Sequence, residues 1–210
     1  MAMRGPRGGG AAKRERILRA AIRIFSNKGF FNSKVSEIAR AAGVADGTIY
    51  LYFRNKDDLL ISLFEEKMGE IVADVRDRVA AGDGPLARLR IFIENHMDLL
   101  VREAGLIEVI QVELRQSNKF MKEYVPLKFL EYLDVLGGIL EGGRKDGTFR
   151  PDLNVKTARR AIFGALDEIS LAHVLSRKRK YEPAKAAAEI YRIFADGLRA
   201  PARGEGGAAT

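Results

Sequence analysis

The 210-residue sequence contains no cysteine, no tryptophan and only two histidines. Without cysteine, disulfide bonds, thiolate nucleophiles and cysteine-bound metals are excluded, and two histidines are too few for a histidine-based metal site. No apolar run approaches the ~20 residues that a membrane span requires. The basic, glycine-rich first ten residues also lack the apolar stretch of a signal peptide. We therefore expect a cytoplasmic protein with no metal and no cofactor.

The residue patterns of common catalytic sites are also missing. We find no Ser-His-Asp set, no phosphate-binding glycine loop followed by Lys-Ser or Lys-Thr, and no metal-ligand spacing. His96 borders the apolar face of its helix, which favours a core or pocket-rim histidine over a catalytic base. The sequence predicts no catalytic residues, and we expect a binding protein rather than an enzyme.

Positive charge is concentrated at one end of the chain. Residues 1–56 carry 12 Lys and Arg against 3 Asp and Glu, a net charge of +9, whereas residues 57–210 have a net charge of −1. A basic region of this kind neutralises phosphates and releases counterions when it binds nucleic acid. Solvated surface lysines are the alternative, but their one-sided clustering favours nucleic-acid binding.

Apolar residues recur with a helical period nearly throughout, and no segment alternates as a strand over several residues. The prediction is an all-α fold of about nine helices. Besides a helix pair within about 34–53, the expected helices cover about 12–28, 56–81, 86–103, 106–115, 119–145, 155–176 and 183–199. We expect Asn55 and Asp58 to cap the long helix that follows the pair.

The helix pair has the features of a helix-turn-helix. Ile38, Ala39 and Ala42 form one apolar face of its first helix, and Gly43 can adopt the positive φ that ends it. A second helix is expected to start at Asp46 or at the glycine after it. Small side chains and the glycine let the two helices cross closely, as a DNA-binding helix-turn-helix requires.

This part of the chain resembles the TetR (tetracycline-repressor-like) family of transcriptional regulators, and the likeness extends over nearly the full length. It rests on residues 29–30, 35–39, 43–44, 47–50 and 53–60. The resemblance implies an all-helical homodimer whose three N-terminal helices bind DNA. We accordingly expect a disordered arm at 1–10, a DNA-binding domain at 11–56, a ligand-binding and dimerisation domain at 57–200, and a disordered tail at 201–210.

The resemblance, together with side-chain chemistry, indicates which residues contact DNA. Thr48 presents a hydroxyl and a methyl group that suit a base edge. Lys56 lies at a helix N-terminus, where its charge joins free backbone N–H groups to favour a phosphate. Lys34 stands where many family members carry Thr or Ser, so we expect Ser33 to cap the helix instead. The predicted DNA contacts are Lys34, Ser36, Gly47, Thr48, Tyr50, Tyr52 and Lys56.

Residues 47–69, 111–118 and 162–168 further resemble the FadR-type branch of the family. That branch represses fatty-acid degradation genes and is released from DNA by long-chain acyl-coenzyme A (acyl-CoA). One alternative is a TetR-type repressor of an efflux or other pathway that responds to a different hydrophobic ligand. A helical enzyme or an architectural DNA-binding protein is the second alternative.

An acyl chain requires an apolar lining, and the coenzyme phosphates require Arg or Lys. The candidate phosphate ligands are Arg90, Arg102, Arg115 and Arg144, for each of which a solvated surface role is the alternative. An ordinary helical core would show the same apolar residues. The predicted effector contacts are Met97, Val101, Ile107, Ile110, Gln111, Leu114, Arg115, Phe129, Leu133, Phe163 and Leu166.

The last two helices combine small and apolar residues, as a dimer interface of four packed helices requires. Intramolecular packing is the alternative for the same residues. A symmetric dimer would bind a near-palindromic operator in double-stranded DNA. The predicted interface residues are Ala158, Ala161, Ile162, Ala165, Ile169, Ala172, Ala187, Ala188, Ile190, Ile193, Phe194 and Leu198.

Overall fold

The computed structural model describes residues 7–176 and 181–200, and their fold is all-α, as predicted. Within these residues, strand-type pairing is limited to one isolated antiparallel bridge between Phe149 and Arg199. The helices are α1 (Arg7–Lys28), α2 (Val35–Ala42), α3 (Asp46–Tyr50), α4 (Lys56–Ala80), α5 (Gly84–Arg102), α6 (Ala104–Glu108), a π-helical segment (Val109–Glu113), α7 (Leu114–Gln116), α8 (Asn118–Glu123), α9 (Leu127–Lys145), α10 (Val155–Leu175) and α11 (Pro183–Leu198).

The chain forms two compact units. The first unit comprises the chain up to Gly69 together with Glu103–Leu127. The second unit comprises Glu70–Arg102 together with the chain from Lys128 onward. Part of the predicted effector-binding region thus belongs to the same compact unit as the helix-turn-helix.

The first unit is built around α1. Its apolar side packs against α2 and against the helix that starts at Ala104. Burial of these side chains removes apolar surface from water, which is the main favourable term in folding. The fully or almost fully buried side chains include Ile17, Leu18, Ala21, Phe25, Ile38, Ala39, Ile49 and Phe53.

Gly43 ends α2 with φ at +66°, as predicted, and Asn55 caps α4 by accepting the backbone N–H of Asp58 at 2.8 Å. The prediction that Ser33 caps α2 is wrong. Its hydroxyl donates to the Phe30 carbonyl at 2.8 Å, and the N-cap position is occupied by Lys34. The carboxylate of Glu37 accepts the N–H of Lys34 at 3.1 Å and so closes this end of α2.

Two helix boundaries also differ from the prediction. α1 begins at Arg7, so the last residues of the expected N-terminal arm are helical; residues 1–6 and the expected C-terminal tail lie outside the described residues. The single helix expected over 119–145 is divided into α8 and α9. Tyr124 is extended at this break. Val125 lies directly before Pro126, and proline disfavours helical backbone at the residue that precedes it.

In the second unit, α5 packs against α11 and α10. Leu89, Phe92, Ile93 and Met97 bury their side chains on α5, and Ala187 is buried on α11. Aromatic rings of α9 meet rings of α5 and α10 in the same unit.

Candidate DNA-binding surface and effector-binding residues

The helix-turn-helix presents most of the predicted DNA contacts at its surface. Lys34 and Tyr50 are exposed, and Thr48 is partly exposed. Gly47 faces open space, since a Cβ atom added there meets no atom within 4 Å. Leu51 is 81% exposed, which leaves its apolar side chain free for a contact that the sequence did not predict. Ser36 and Tyr52 are likewise partly exposed.

The structure gives Lys56 a different set of contacts from the predicted phosphate. Its Nζ donates to the carbonyl oxygens of Phe30 at 2.6 Å, Ser33 at 3.0 Å and Phe31 at 3.3 Å. It also lies 4.5 Å from the centre of the Phe30 ring, a cation–π distance. An ammonium group has three hydrogens to donate, so these carbonyls can use all of them. A phosphate contact by Lys56 stays a prediction.

The start of α2 is fixed by charged partners. Lys28 Nζ donates to Glu37 at 2.5 Å, and this bond, together with the backbone N–H of Lys34, holds the pKa of the Glu37 carboxyl below its usual value. The backbone of Lys34 is thereby set while its side chain remains exposed. This arrangement suits a phosphate contact by Lys34.

Five of the predicted effector contacts belong to the first unit. Ile107, Gln111 and Leu114 are buried there, and Ile110 is partly buried. Arg115 is exposed and donates through Nη2 to Gln111 Oε1 at 3.0 Å. Three of these five residues flank or occupy the π-helical segment, a local geometry that the sequence did not predict.

The second unit gathers aromatic residues from α5, α9 and α10. Phe129 and Phe163 meet edge to face with ring centres 4.9 Å apart, and Phe92 lies 4.9 Å from Tyr132. His96 lies 6.0 Å from the Phe163 ring. Leu133 and Leu166 are fully buried on the same helices. Aromatic pairs at these distances stabilise the fold by more than the burial of their apolar area alone provides.

His96 joins a hydrogen-bonded chain in this aromatic cluster, as its interpretation as a satisfied core or pocket-rim histidine predicted. Its Nδ1 lies 2.8 Å from the hydroxyl of Tyr132, and its Nε2 lies 3.3 Å from that of Ser170. Ser170 donates to the Leu166 carbonyl, so its oxygen is left to accept from Nε2–H while the tyrosine hydroxyl donates to Nδ1.

This chain requires a neutral imidazole. Burial lowers the pKa of His96 to about 4, although the charge of Asp167 acts in the opposite direction. Burial also raises the pKa of Tyr132. Sequence reasoning missed Tyr132 and Ser170; their spacing on α9 and α10 gave no signal that they meet His96.

Met97 and Val101 line an open cleft of about 760 Å³ in the second unit. Val101 is 66% exposed, and Asn95 and residues at the start of α11 line the same cleft. Met97 and Val101 thus line this cleft together, and the other predicted effector contacts do not line it.

The candidate phosphate ligands of the second unit have partners within it. Arg102 donates to Asp98 at 2.5 Å and to Asn95 at 2.9 Å. Arg144 donates to Glu141 at 2.9 Å, and the Arg90 guanidinium lies 4.3 Å from the centre of the Tyr191 ring. Arg115 is the candidate that belongs to the first unit, with Ile107, Ile110 and Leu114.

Several residues predicted for the dimer interface are buried within the single chain. Ile162, Ala187, Ile190 and Leu198 are at most 7% exposed, so intramolecular packing, the alternative interpretation, is correct for them. They contribute to the core of the second unit because α10 and α11 pack against α5. Ile193 is 60% exposed, and Ala161 and Ala188 are exposed on the same two helices.

Comparison with known families and proteins agrees with this architecture. Residues 17–63 match the family described as bacterial regulatory proteins, tetR family, and residues 64–197 match the C-terminal region of YsiA-like proteins. The fatty acid metabolism regulator protein of Bacillus subtilis is 37% identical over 87% of this chain and 93% of its own length.

The chain belongs to the TetR family. The expectation of a TetR-type transcriptional regulator is confirmed, and its relatives are regulators rather than enzymes. In the described parts of the chain, no helix is long and apolar enough to cross a membrane.

Two solved structures share the fold over nearly their full length. FadR, the fatty acid degradation regulator from Bacillus halodurans, is 38% identical, with a TM-score of 0.81 over 88% of this chain and 99% of that one. FadR from Bacillus subtilis in complex with stearoyl-CoA is 37% identical, with a TM-score of 0.82 and the same coverage. The resemblance to the FadR branch is thus confirmed.

Proposed function

We propose that this protein is a transcriptional repressor that long-chain acyl-CoA releases from its operator, and that it controls genes of fatty-acid metabolism. The observation that carries the proposal is the 37% identity, over most of both chains, to a regulator whose structure was solved with stearoyl-CoA. The aromatic cluster of the second unit and the buried apolar residues around the π-helical segment support an apolar effector.

The repressor acts as a homodimer through the exposed faces of α10 and α11. Two recognition surfaces about one helical turn of DNA apart then bind a near-palindromic operator. Lys34, Ser36, Tyr50 and Tyr52 position the protein on phosphates, and Thr48 reads a base edge.

The effector binds through its acyl chain and its phosphates. Within the first unit the proposed apolar contacts are Ile107, Ile110 and Leu114, with Gln111 as a polar contact. Arg115 is the phosphate ligand, because it alone among the candidate arginines belongs to the unit that carries these contacts.

Calorimetric titration of palmitoyl-CoA, with and without operator DNA, tests the function. Thermodynamic reciprocity requires operator to weaken palmitoyl-CoA binding by the factor by which palmitoyl-CoA weakens operator binding, about 5- to 150-fold. Equal affinities in the two titrations would describe a binder that is not a switch. Absence of binding would refute the acyl-CoA proposal and favour a regulator of another hydrophobic ligand.

Arg115→Ala tests how the coenzyme is recognised. We expect weaker binding of palmitoyl-CoA but unchanged binding of palmitate, which has no phosphates. Arg144→Ala is the matched control, since that guanidinium already pairs with Glu141. A loss confined to Arg144→Ala, or equal losses for both ligands, would exclude Arg115 as the phosphate ligand.

A further inference from the structure

The turn between α1 and α2 is held by two charged side chains from other parts of the first unit. The backbone N–H of Phe30 donates to Glu113 Oε2 at 2.5 Å, and the carbonyl of the same residue accepts from Lys56 Nζ at 2.6 Å. Glu113 is only 7% exposed, so its bond is sheltered from water. Hydrogen bonds to charged groups are shorter and stronger than neutral ones.

The turn is shaped around this carboxylate. Gly29 has φ at +79°, which favours glycine, and a Cβ atom added there would lie 3.5 and 3.7 Å from the two oxygens of Glu113. Four residues after Phe30 the backbone reaches Lys34, the N-cap of α2. The bond between Glu113 and Phe30 therefore acts on the backbone that leads directly into the helix-turn-helix.

Glu113 is supplied by the π-helical segment. Helix α6 widens to π-helical hydrogen bonding over Val109–Glu113 before α7 continues, and such single turns are frequent at functional sites. Burial and then the charge of Glu113 raise the pKa of the Glu108 carboxyl. A return to α-helical geometry would move Glu113 to another side of the helix.

The residues proposed to contact the effector surround Glu113 in sequence. Gln111 lies two residues before it, and Leu114 follows it directly. Glu113 shares the helical backbone of these two residues, so a ligand that displaces them also displaces its carboxylate. The first unit thus contains a short covalent and hydrogen-bonded connection from proposed effector contacts to the DNA-binding helices.

We propose that Glu113 is a positioning residue for DNA recognition. Its bond to the Phe30 N–H holds the α1–α2 turn in the operator-binding geometry, and effector binding at the π-helical segment withdraws the carboxylate. The identity of the effector rests on the proposed function, whereas the role of the bond in operator binding does not.

Glu113→Gln and Glu113→Ala test this role, with Glu108→Gln as the matched control that leaves the bond to Phe30 in place. The glutamine keeps an acceptor oxygen and removes the charge, whereas the alanine removes both. We expect operator affinity to fall about 5-fold or more in the alanine variant and less in the glutamine variant. Palmitoyl-CoA affinity should stay the same or increase, because loss of a contact made only in the operator-binding form shifts the population toward the other form.

A fall in operator affinity with an unchanged or increased palmitoyl-CoA affinity distinguishes positioning from structural damage, which would weaken the binding of both ligands and lower the melting temperature. If wild-type protein does not respond to palmitoyl-CoA, the proposed function fails and operator titration still decides the role of Glu113. Reduced operator affinity of Glu113→Gln at an unchanged melting temperature then supports it. Wild-type operator affinity in Glu113→Gln and Glu113→Ala, or parallel loss of both affinities, would overturn it.

Discussion

The two units use buried and partly buried polar groups in different ways. In the first unit, Ser33, Lys56 and Glu113 each bond to backbone atoms of the α1–α2 turn. In the second unit, His96 bonds to the side chains of Tyr132 and Ser170 on facing helices. Removal of one of these groups from the first unit therefore releases the backbone of the α1–α2 turn, which precedes the DNA-binding helices. Removal of one from the second unit instead disturbs a packed core. Substitutions in the first unit should act on DNA recognition, and those in the second on assembly and stability.

The largest expected effect comes from an exposed residue of the second unit. Ile193 is 60% exposed on α11, and we expect Ile193→Asp to place a charge in the proposed dimer interface. The dimer should dissociate. Operator affinity should then fall about 100-fold or more, because the two helix-turn-helix units are no longer linked and each binds its half-site separately. Analytical ultracentrifugation and operator titration measure the two effects.

Val125→Asp is the control for this substitution, since Val125 is 61% exposed but belongs to the first unit. It should remain dimeric. A dimeric Ile193→Asp protein with unchanged operator affinity would show that the proposed interface is wrong.

The second prediction concerns the pH dependence of the second unit. The unfolded chain protonates His96 near pH 6.5, whereas the folded protein does so only near pH 4. Between these values the unfolded state binds more protons, so the free energy of unfolding falls as the pH decreases from about 6.5 to about 4. The loss attributable to His96 is roughly 3 kcal/mol at the acidic end.

Urea unfolding of His96→Gln at pH 7 and pH 4.5 measures this contribution. The variant should lose less stability than the wild type across that interval, because its amide does not titrate. His173→Gln is the control, since that ring is bonded at the surface to the Tyr181 carbonyl. An equal acid loss in wild type and His96→Gln would show that His96 is not the group responsible.

Local signals in the sequence predicted much of the first unit. Gly43, the Asn55 cap and the apolar face of α2 depend on neighbours a few residues away, and all are as predicted. Glu113 escaped prediction because it is separated from Phe30 by 83 residues and because nothing in the sequence indicated a π-helical turn. Ser33 was expected to cap α2, but its hydroxyl donates to the carbonyl of Phe30 instead.

The second unit shows more clearly what the spacing of apolar residues along a helix cannot predict. A helical apolar pattern identifies a buried face but does not say whether the face packs within the chain or against a partner. Ile162 and Ile190 were therefore expected at the dimer interface and are instead core residues, whereas Ile193 is exposed. The pairing of His96 with Tyr132 depends on the packing of α5 against α9, which no local pattern contains.

The third prediction compares two lysines of the first unit that the sequence treated alike. Lys56→Met removes the ammonium group from three backbone carbonyls, and we expect the free energy of unfolding to fall by about 2 kcal/mol. Lys34→Met should leave stability unchanged, since Lys34 is exposed, but should weaken binding to all DNA sequences. Urea unfolding and operator titration over a salt series separate the two effects.

The salt dependence decides whether each lysine contacts a phosphate. Loss of one phosphate contact should reduce the slope of log affinity against log salt concentration by about 1. We expect this change for Lys34→Met. The same reduction in Lys56→Met at wild-type stability would restore the phosphate role that the sequence predicted and contradict a structural one.

The smallest expected effect comes from Thr48, where the first unit is expected to read sequence rather than charge. Its partly exposed side chain lies on α3 beside the open surface at Gly47, so its methyl and hydroxyl groups are available to a base edge. Thr48→Ala should reduce discrimination at one operator position, and at its symmetry mate, by about 1 kcal/mol, the low end of the range for a base contact. Thr48→Ser, which keeps the hydroxyl but not the methyl group, shows whether the contact is polar or is made to a thymine methyl. Titration of operators substituted singly at each position measures the preference. A uniform loss of affinity across all of these operators would assign Thr48 to the phosphate backbone, and an unchanged preference would remove it from the recognition surface.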